Sequence, residues 1–333
     1  MEPKGPKASL NSWMKKRIRI ILPLLFAIFL ALYHFVFEPN SDSNWLIYGL
    51  IEGQFVFAPV CGLAALLCFK NWRFMLLWFC LGGVTFVLIG HPSWGSRPSS
   101  GGKTLRVLTY NVAGFEVDKP GVMKVLKESN ADIICLQEVC KIGKIKQAGE
   151  ALSKEFRGYY WSGASTNLIL SRYPLSEEDV LKVPTKWPTK EFPSAVVNSP
   201  LGKIRVMCVH MEPSWISAWS QGPGDTANVL SKVCDDRRAQ GDLILASLRP
   251  SKQPVLLVGD FNGPAGSESI LRFGKYFTDS FATTEKGFGN TILAKMPYKR
   301  IDYVWVRGLS PVQSEVVDSV ASDHRAVLSV LGR

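Results

Sequence analysis

Apolar positions fall along this chain in two different patterns. From Ile18 to Gly90 nearly every residue is Leu, Ile, Phe, Val, Ala or Trp, and polar residues collect at a few short breaks. From Lys103 onward the apolar runs shorten and alternate with polar, Gly- and Pro-containing stretches. The first pattern has no polar face to offer water and predicts membrane spans; the second predicts a water-soluble domain built on short strands. The spans are expected at Ile20 to Phe37, Trp45 to Phe69 and Trp72 to Gly90. Glu52 and Gln54 interrupt the second, so its span begins near Phe55 or holds these groups against the bundle or the interface. A secretory signal peptide is the competing reading of the first run. No small-residue cleavage site follows Leu32, and two further runs come after it, which favours an anchor.

Charge orients the spans. Lys15, Lys16, Arg17 and Arg19 precede the first run; the first loop, Glu38 to Asn44, carries Glu38 and Asp42 and no basic residue; Lys70 and Arg73 flank the second turn. Basic residues stay on the cytoplasmic side, so the N-terminus and second turn are expected inside, and the first loop and soluble domain outside. Two spans instead of three would reverse that orientation. The expected organisation is a basic cytoplasmic segment (1–19), three transmembrane helices (20–90), a Pro-, Ser- and Gly-rich linker (91–103) and a catalytic domain (104–333). In a bacterium this is a multi-pass protein of the inner (plasma) membrane with its soluble domain on the periplasmic or extracellular side. The net charge is +11, of which the soluble part carries about +7. That mild surplus suits an anionic substrate or anionic headgroups, and equally an ordinary solvated surface. Seven cysteines show no CxxC or His-linked metal spacing; Cys135 and Cys208, inside strand-like runs, are expected as buried free thiols, and a Cys140–Cys234 disulfide stays open if the domain lies outside the cytoplasm.

Within the soluble part, short β-branched runs stop at residues suited to metal or phosphate chemistry. Leu105 to Asn111, Asp132 to Glu138, Ile204 to His210, Val255 to Asp260 with Asn262 following, and Ile301-Asp302 opening another strand are five such places. Ser322-Asp323-His324 precedes a closing strand, Ala326 to Leu331. Helices are expected from Pro120 to near Asn130 and around Thr226 to Leu248, giving an α/β sandwich with helices outside two packed sheets. Any one strand-terminal Asn or Asp is more often a turn former or helix cap. Histidine is more telling, because the chain has four: His34 falls in the first span, His91 just beyond the third, and His210 and His324 in these motifs. Carboxylates, amides and imidazoles converging on one rim would offer hard ligands, suited to Mg²⁺ or Mn²⁺ and less to Zn²⁺.

The ordered set Tyr110-Asn111, Leu136-Gln137-Glu138, Val209-His210, Gly259-Asp260-Phe261-Asn262, Arg300-Ile301-Asp302-Tyr303 and Ser322-Asp323-His324 resembles the endonuclease/exonuclease/phosphatase (DNase I-like) superfamily. The resemblance spans most of the soluble part and implies a four-layer α/β/β/α sandwich and a metal-dependent phosphoester hydrolase. It implies Glu138 as principal Mg²⁺ ligand, with Asn111 and Asp323 near the ion directly or through water. Asp302 would fix and strengthen His324, which then activates water or stabilises phosphoryl oxygens; Asp260 would orient or deprotonate the attacking water, and Asn262 would donate to a phosphate oxygen. Histidine at His210 resembles the DNase I, sphingomyelinase and phosphoinositide phosphatase branches, whereas the abasic-site repair branch carries tyrosine. The three-span anchor resembles membrane-bound members associated with teicoplanin resistance, which implies a lipid phosphate such as a prenyl pyrophosphate, with the bilayer as partner. Trp215 and Trp219, in a Pro/Gly-containing loop after His210, fit either an interfacial role or burial under a loop. An outward-facing nuclease is the enzymatic alternative, less favoured because Lys and Arg are dispersed. A catalytically inactive tethered binding module is the other, opposed by the intact site set.

Overall fold

The structure is a computed structural model that describes residues 6–44, 46–47, 50, 56–68, 70–98, 102–185, 190–213 and 226–333. Helix α1 (Pro6–Leu32) passes through a π-helical turn (Tyr33–Phe37) into a 3-10 segment (Glu38–Ser43), and α2 (Phe57–Leu67) and α3 (Trp72–Gly90) follow. With apolar residues all round, these helices bury little in the protein: Ile20, Leu24, Phe35, Leu66 and Phe79 are among many left exposed. Where the helices touch, rings interlock, Phe26 on Trp78 at 5.7 Å and Phe29 on Phe57 at 5.3 Å. Gly82 admits Cys61, since a Cβ there would sit 3.2 Å from the Cys61 Cβ. Two helical stretches, Arg17–Ser43 and Trp72–Gly90, are long and apolar enough to cross a membrane. Helix α2 has 11 residues, too few by itself, and Glu52 and Gln54 lie outside the described residues. The sequence predicts three spans; among the described residues two helices of crossing length are found.

Among the described residues fourteen strands follow: β1 (Ser93–Trp94), β2 (Leu105–Asn111), β3 (Ile133–Gln137), β4 (Tyr160–Ala164), β5 (Asn167–Ser171), β6 (Leu175–Val183), β7 (Lys190–Ser199), β8 (Gly202–His210), β9 (Val255–Asp260), β10 (Thr278–Asp279), β11 (Lys286–Gly287), β12 (Asp302–Arg307), β13 (Ser310–Val316) and β14 (Val327–Gly332). One six-stranded sheet has the order β13-β14-β2-β3-β5-β4 and the other β10-β12-β9-β8-β7-β6. Each is antiparallel except for one central parallel pair, β2 with β3 and β8 with β9. A parallel pair needs a crossover, and α4 (Lys119–Glu128) and α6 (Thr226–Leu248) supply the two. Asp118 caps α4 by accepting from Gly121 N at 3.1 Å, with Pro120 in the first turn.

The central strands are buried on both faces, which explains their unbroken apolar runs. Leu105, Val107, Ile204, Val206 and Cys208 meet between the sheets. Leu108 and Tyr110 point the other way into a core shared with α4 and α5 (Ile145–Glu155), while Met207 and Val209 pack toward α6 and α7 (Glu268–Phe273). Helix, sheet, sheet and helix are therefore stacked as the sequence predicts. The run expected at Leu105 to Asn111 is the strand observed, the helix expected around Thr226 to Leu248 is found there, and the run from Val255 to Asn262 forms a strand that ends at Asp260. All seven cysteines carry free thiols, Cys140 and Cys234 included.

Candidate active site

Topology alone carries the chemistry to one edge. In register, His210 of β8 lies beside Asp260 of β9, and Asp260 lies beside Asp302 of β12. In the other sheet Asn111 ends β2 next to Gln137 of β3, so Glu138 follows at the same rim. Strand β14 runs antiparallel to β2, with Val327 opposite Thr109, which sets Asp323 and His324 at that rim as well. Gly259 is required here: with φ at +149°, a Cβ would lie 2.0 Å from Val209 O, inside the β8–β9 contact.

Hydrogen bonds knit the two sheets together across the rim. Asn111 Nδ2 donates to Glu138 Oε1 at 3.0 Å and to Asp260 Oδ2 at 3.1 Å, and Asn111 Oδ1 accepts from Ala113 N at 3.1 Å. His324 Nδ1 lies 2.9 Å from Asp302 Oδ2, and its Nε2 faces Asp260 Oδ2 at 3.7 Å. His210 Nε2 stands 3.7 Å from Glu138 Oε1 and 3.8 Å from Asp260 Oδ2, beyond hydrogen-bonding distance from both. Asn262 N donates to Asp260 Oδ1 at 2.8 Å, and Asn262 Nδ2 donates to Met211 O at 3.0 Å. Glu138 and Asn262 are both held at positive φ, +55° and +48°, a conformation that concentrates at functional sites. Asn111, Asp260, Asp302 and His324 are buried, whereas Glu138 is about half exposed and Asp323 exposed.

Burial and like charge set the titration behaviour. Asp260 is pushed well above the usual carboxylate range by its burial and by the neighbouring Asp302. Burial by itself would lower His324, but Asp302 and Asp260 outweigh it and push the imidazole up to about 10. His210 moves the other way, held well below the usual imidazole range by burial and by the positive Lys190 and His324. One imidazolium and one neutral imidazole thus flank the same carboxylate.

The donor set fits a hard divalent cation. Asn111 Nδ2 draws Glu138 Oε1 and Asp260 Oδ2 to 3.0 and 3.1 Å from itself, so two carboxylates face one point of the rim, and Asp302 and His324 crowd behind Asp260, with ligand atoms of these three within 4.8 Å of one another. Asp302 Oδ1 is buried with no hydrogen bond among the described residues, and carboxylates this crowded call for a counter-charge. As a ligand Asn111 would have to present Oδ1, which here accepts from Ala113 N. All eight residues singled out in the sequence come to this rim, with Asp323 at its exposed side. Trp215 and Trp219 lie outside the described residues.

Several further residues support the site from outside the set singled out in the sequence. Thr291 Oγ1 accepts from Ile301 N at 3.1 Å and Asp302 N at 3.3 Å, fixing the start of β12. Ser322 Oγ donates to Asn111 O at 2.8 Å and joins the two ends of the rim; its place beside Asp323 in the motif was the available clue. Arg237, fully buried in α6, donates to Glu212 O, Phe261 O and Ser269 Oγ. These roles arise from contacts distant in sequence.

A two-sheet sandwich with carboxylates, two amides and two imidazoles on one rim defines a metal-dependent phosphoesterase class. Comparison with known proteins agrees. The endonuclease/exonuclease/phosphatase family profile matches residues 108–324, and the chain belongs to that family, whose members are metal-dependent phosphoester hydrolases. Solved structures share the fold. An endonuclease/exonuclease/phosphatase from Beutenbergia cavernae is 19% identical over 69% of this chain and 72% of its own, with a TM-score of 0.52. The mannosyl-6-phosphatase of Bacteroides thetaiotaomicron is 17% identical over 69% and 100%, with a TM-score of 0.51. A humanized D. rerio TDP2 is 16% identical over 69% and 99%, with a TM-score of 0.53. A search of curated protein sequences gives no match.

Proposed function

We propose that this protein is a membrane-anchored phosphoesterase that hydrolyses a lipid-linked phosphate, a prenyl pyrophosphate or similar, at the outer face of the membrane. The observation that carries the substrate class is a cleft of about 280 Å³ where the apolar helices meet the sandwich. Phe86 and Ile89 of α3 and Ala58 of α2 form one wall; Phe288, Pro297 and Tyr298 form the other. That second wall belongs to the loop that carries Thr291, the support of Asp302, and Ile292, which bridges to His324. An apolar chain entering between the helices would therefore lie beside the loop that leads to the catalytic imidazole. The first loop supports the orientation: Ser41 Oγ accepts from Glu268 N at 2.8 Å and Asp42 Oδ2 from Ser269 N at 3.1 Å, so the acidic loop and the sandwich share one side of the helices.

At the rim, Glu138 and Asn111, with Asp323 near, would hold Mg²⁺ (or Mn²⁺), which when bound supplies charge neutralisation at the phosphoryl oxygens. Asp260, with its raised affinity for a proton and backbone support from Asn262 N, takes the proton of the attacking water. His324, kept cationic by Asp302, donates Nε2–H to the developing phosphoryl charge; of the two roles open to it, this one fits a group that stays protonated at neutral pH. His210, neutral, hydrogen-bonds the phosphate from the β8 side. Asn262 directs one amide hydrogen to Met211 O and retains the other for substrate.

The test is Mg²⁺-dependent phosphate release by the detergent-solubilised protein from a polyprenyl pyrophosphate, a glycerophospholipid and short DNA, with His324→Ala as control. Release from the prenyl substrate, lost in the control, is expected. Cleavage of DNA alone would make the protein an anchored nuclease.

A further inference from the structure

A second set of ligand atoms meets where the helices join the sandwich, away from the catalytic rim. His34 Nδ1 lies 2.9 Å from Glu38 Oε2, and His91 Nε2 lies 2.8 Å from Glu38 Oε1. The two imidazoles stack with centroids 5.7 Å apart, and ligand atoms of the three residues all lie within 4.8 Å of one another. Chain geometry produces this meeting from distant places. His34 and Glu38 are four residues apart around the π-helical turn after α1, and His91 caps α3 with a left-handed φ of 45°, rare for a residue with a side chain. Opposite them stands Gly266, in the loop between β9 and α7. A Cβ there would lie 2.2 Å from His91 Nε2 and 2.8 Å from Glu38 Cδ. Gly266 has no positive φ to explain it, so the glycine is there for room.

We propose that His34, Glu38 and His91 form a second metal site, for a borderline divalent transition ion of the zinc type. Two imidazole nitrogens and one carboxylate suit Zn²⁺, and equally Ni²⁺ or Cu²⁺, but not Mg²⁺, which demands oxygen ligands in an octahedron. Three protein ligands leave a fourth position for water. The accessibilities leave room for it: the Glu38 side chain is 3% accessible, whereas those of His34 and His91 are 29% and 22% accessible. Such an ion would tie the end of α1 to the end of α3 and hold both against the loop that follows Asn262. None of its ligands belongs to the catalytic set, so the site stands or falls independently of the proposed reaction.

The full-length protein carrying Glu138→Gln and Asp260→Asn, which disables the catalytic rim, is stripped with chelator and titrated with Co²⁺, read by visible absorption and by metal content per chain. One Co²⁺ per chain is expected, displaced by Zn²⁺ and not by millimolar Mg²⁺. Adding His34→Ala and His91→Ala should abolish binding, with far-UV circular dichroism confirming that the helices persist. Gly266→Ala, which leaves every ligand in place, should weaken Co²⁺ binding about tenfold or more. A parent protein that binds no Co²⁺, or binding unaltered by the double histidine substitution, overturns the proposal. If that double variant does not fold, Glu38→Gln and Gly266→Ala decide instead, and unchanged affinity in both overturns it.

Discussion

Asp260 and His324 face each other across 3.7 Å, and both hold protons more tightly than their ordinary counterparts. For His324, raised from 6.5 to about 10, the bound proton contributes stability that is complete below about pH 6.5 and is lost as pH rises through about 10. Asp260 is also raised, so its ionisation costs stability in the same direction as pH climbs past the usual carboxylate range. The metal-free protein is therefore expected to show a thermal midpoint that falls between pH 7 and 10. His324→Gln, unable to carry the charge, should flatten that fall; an unaltered slope would remove the imidazolium from the role given to it. Asp302 holds this cation, and Asp302→Asn should lower kcat by about 10²- to 10⁴-fold and move the alkaline limb of the pH–rate profile downward. Burial of the pair in the rim makes a purely surface effect, screened by salt, the wrong description: the shift should persist at high ionic strength.

Strand ends place these groups, so element-scale changes should damage the site without touching a catalytic side chain. Gly259→Ala would drive a methyl group into Val209 O and part β8 from β9, separating His210 from Asp260. Its expected signature is a large loss of activity at both low and high substrate, together with a lower thermal midpoint. Arg237 gives a second case. It donates to the carbonyls of Glu212 and Phe261, which flank the ends of β8 and β9, and its Nε lies 3.7 Å from Asp42 Oδ1. Arg237→Met leaves buried carbonyls and a buried carboxylate exposed to an apolar neighbour, a change of about 3–5 kcal/mol that should lower the thermal midpoint by on the order of 10 °C. The same strand ends are what the sequence makes legible. A central strand buried on both faces reads as an unbroken β-branched run, and a polar residue at its end stands out, as at Asn111, His210 and Asp260. Strand β6, mostly exposed and carrying Glu177, Glu178 and Asp179, has no such run, because an edge strand is protected by charge and not by burial. Strand β6 is accordingly absent from the elements the sequence predicts; so are β4, β5 and β7, although β5 and β7 are buried interior strands, because none of these runs ends in a residue suited to metal or phosphate chemistry. Thr291 and Arg237 were equally hidden, since each is fixed by partners at least ten residues away.

At the scale of the molecule, the apolar helices and the sandwich meet along one face, through the 38–43 segment, through the short β1–β11 ribbon, and through the aromatic contact of Phe86 with Phe288 at 4.9 Å. This face is where a lipid-linked and a water-soluble phosphate would be treated differently. On the proposed function both need the rim, and a lipid tail would also need the cleft between α2, α3 and the 288–299 loop. Ala58→Phe would fill part of that cleft with an apolar side chain compatible with its helix, leaving the rim untouched. The expected outcome is a fall of about tenfold or more in kcat/KM for a prenyl pyrophosphate, with hydrolysis of a small soluble phosphodiester changed by less than about twofold. The ratio of the two rates is the measurement that matters, because a general loss of fold lowers both together. An equal effect on both substrates would mean that the cleft is only a seam between the helices and the sandwich, and that the phosphate reaches the rim from water without help from the membrane face.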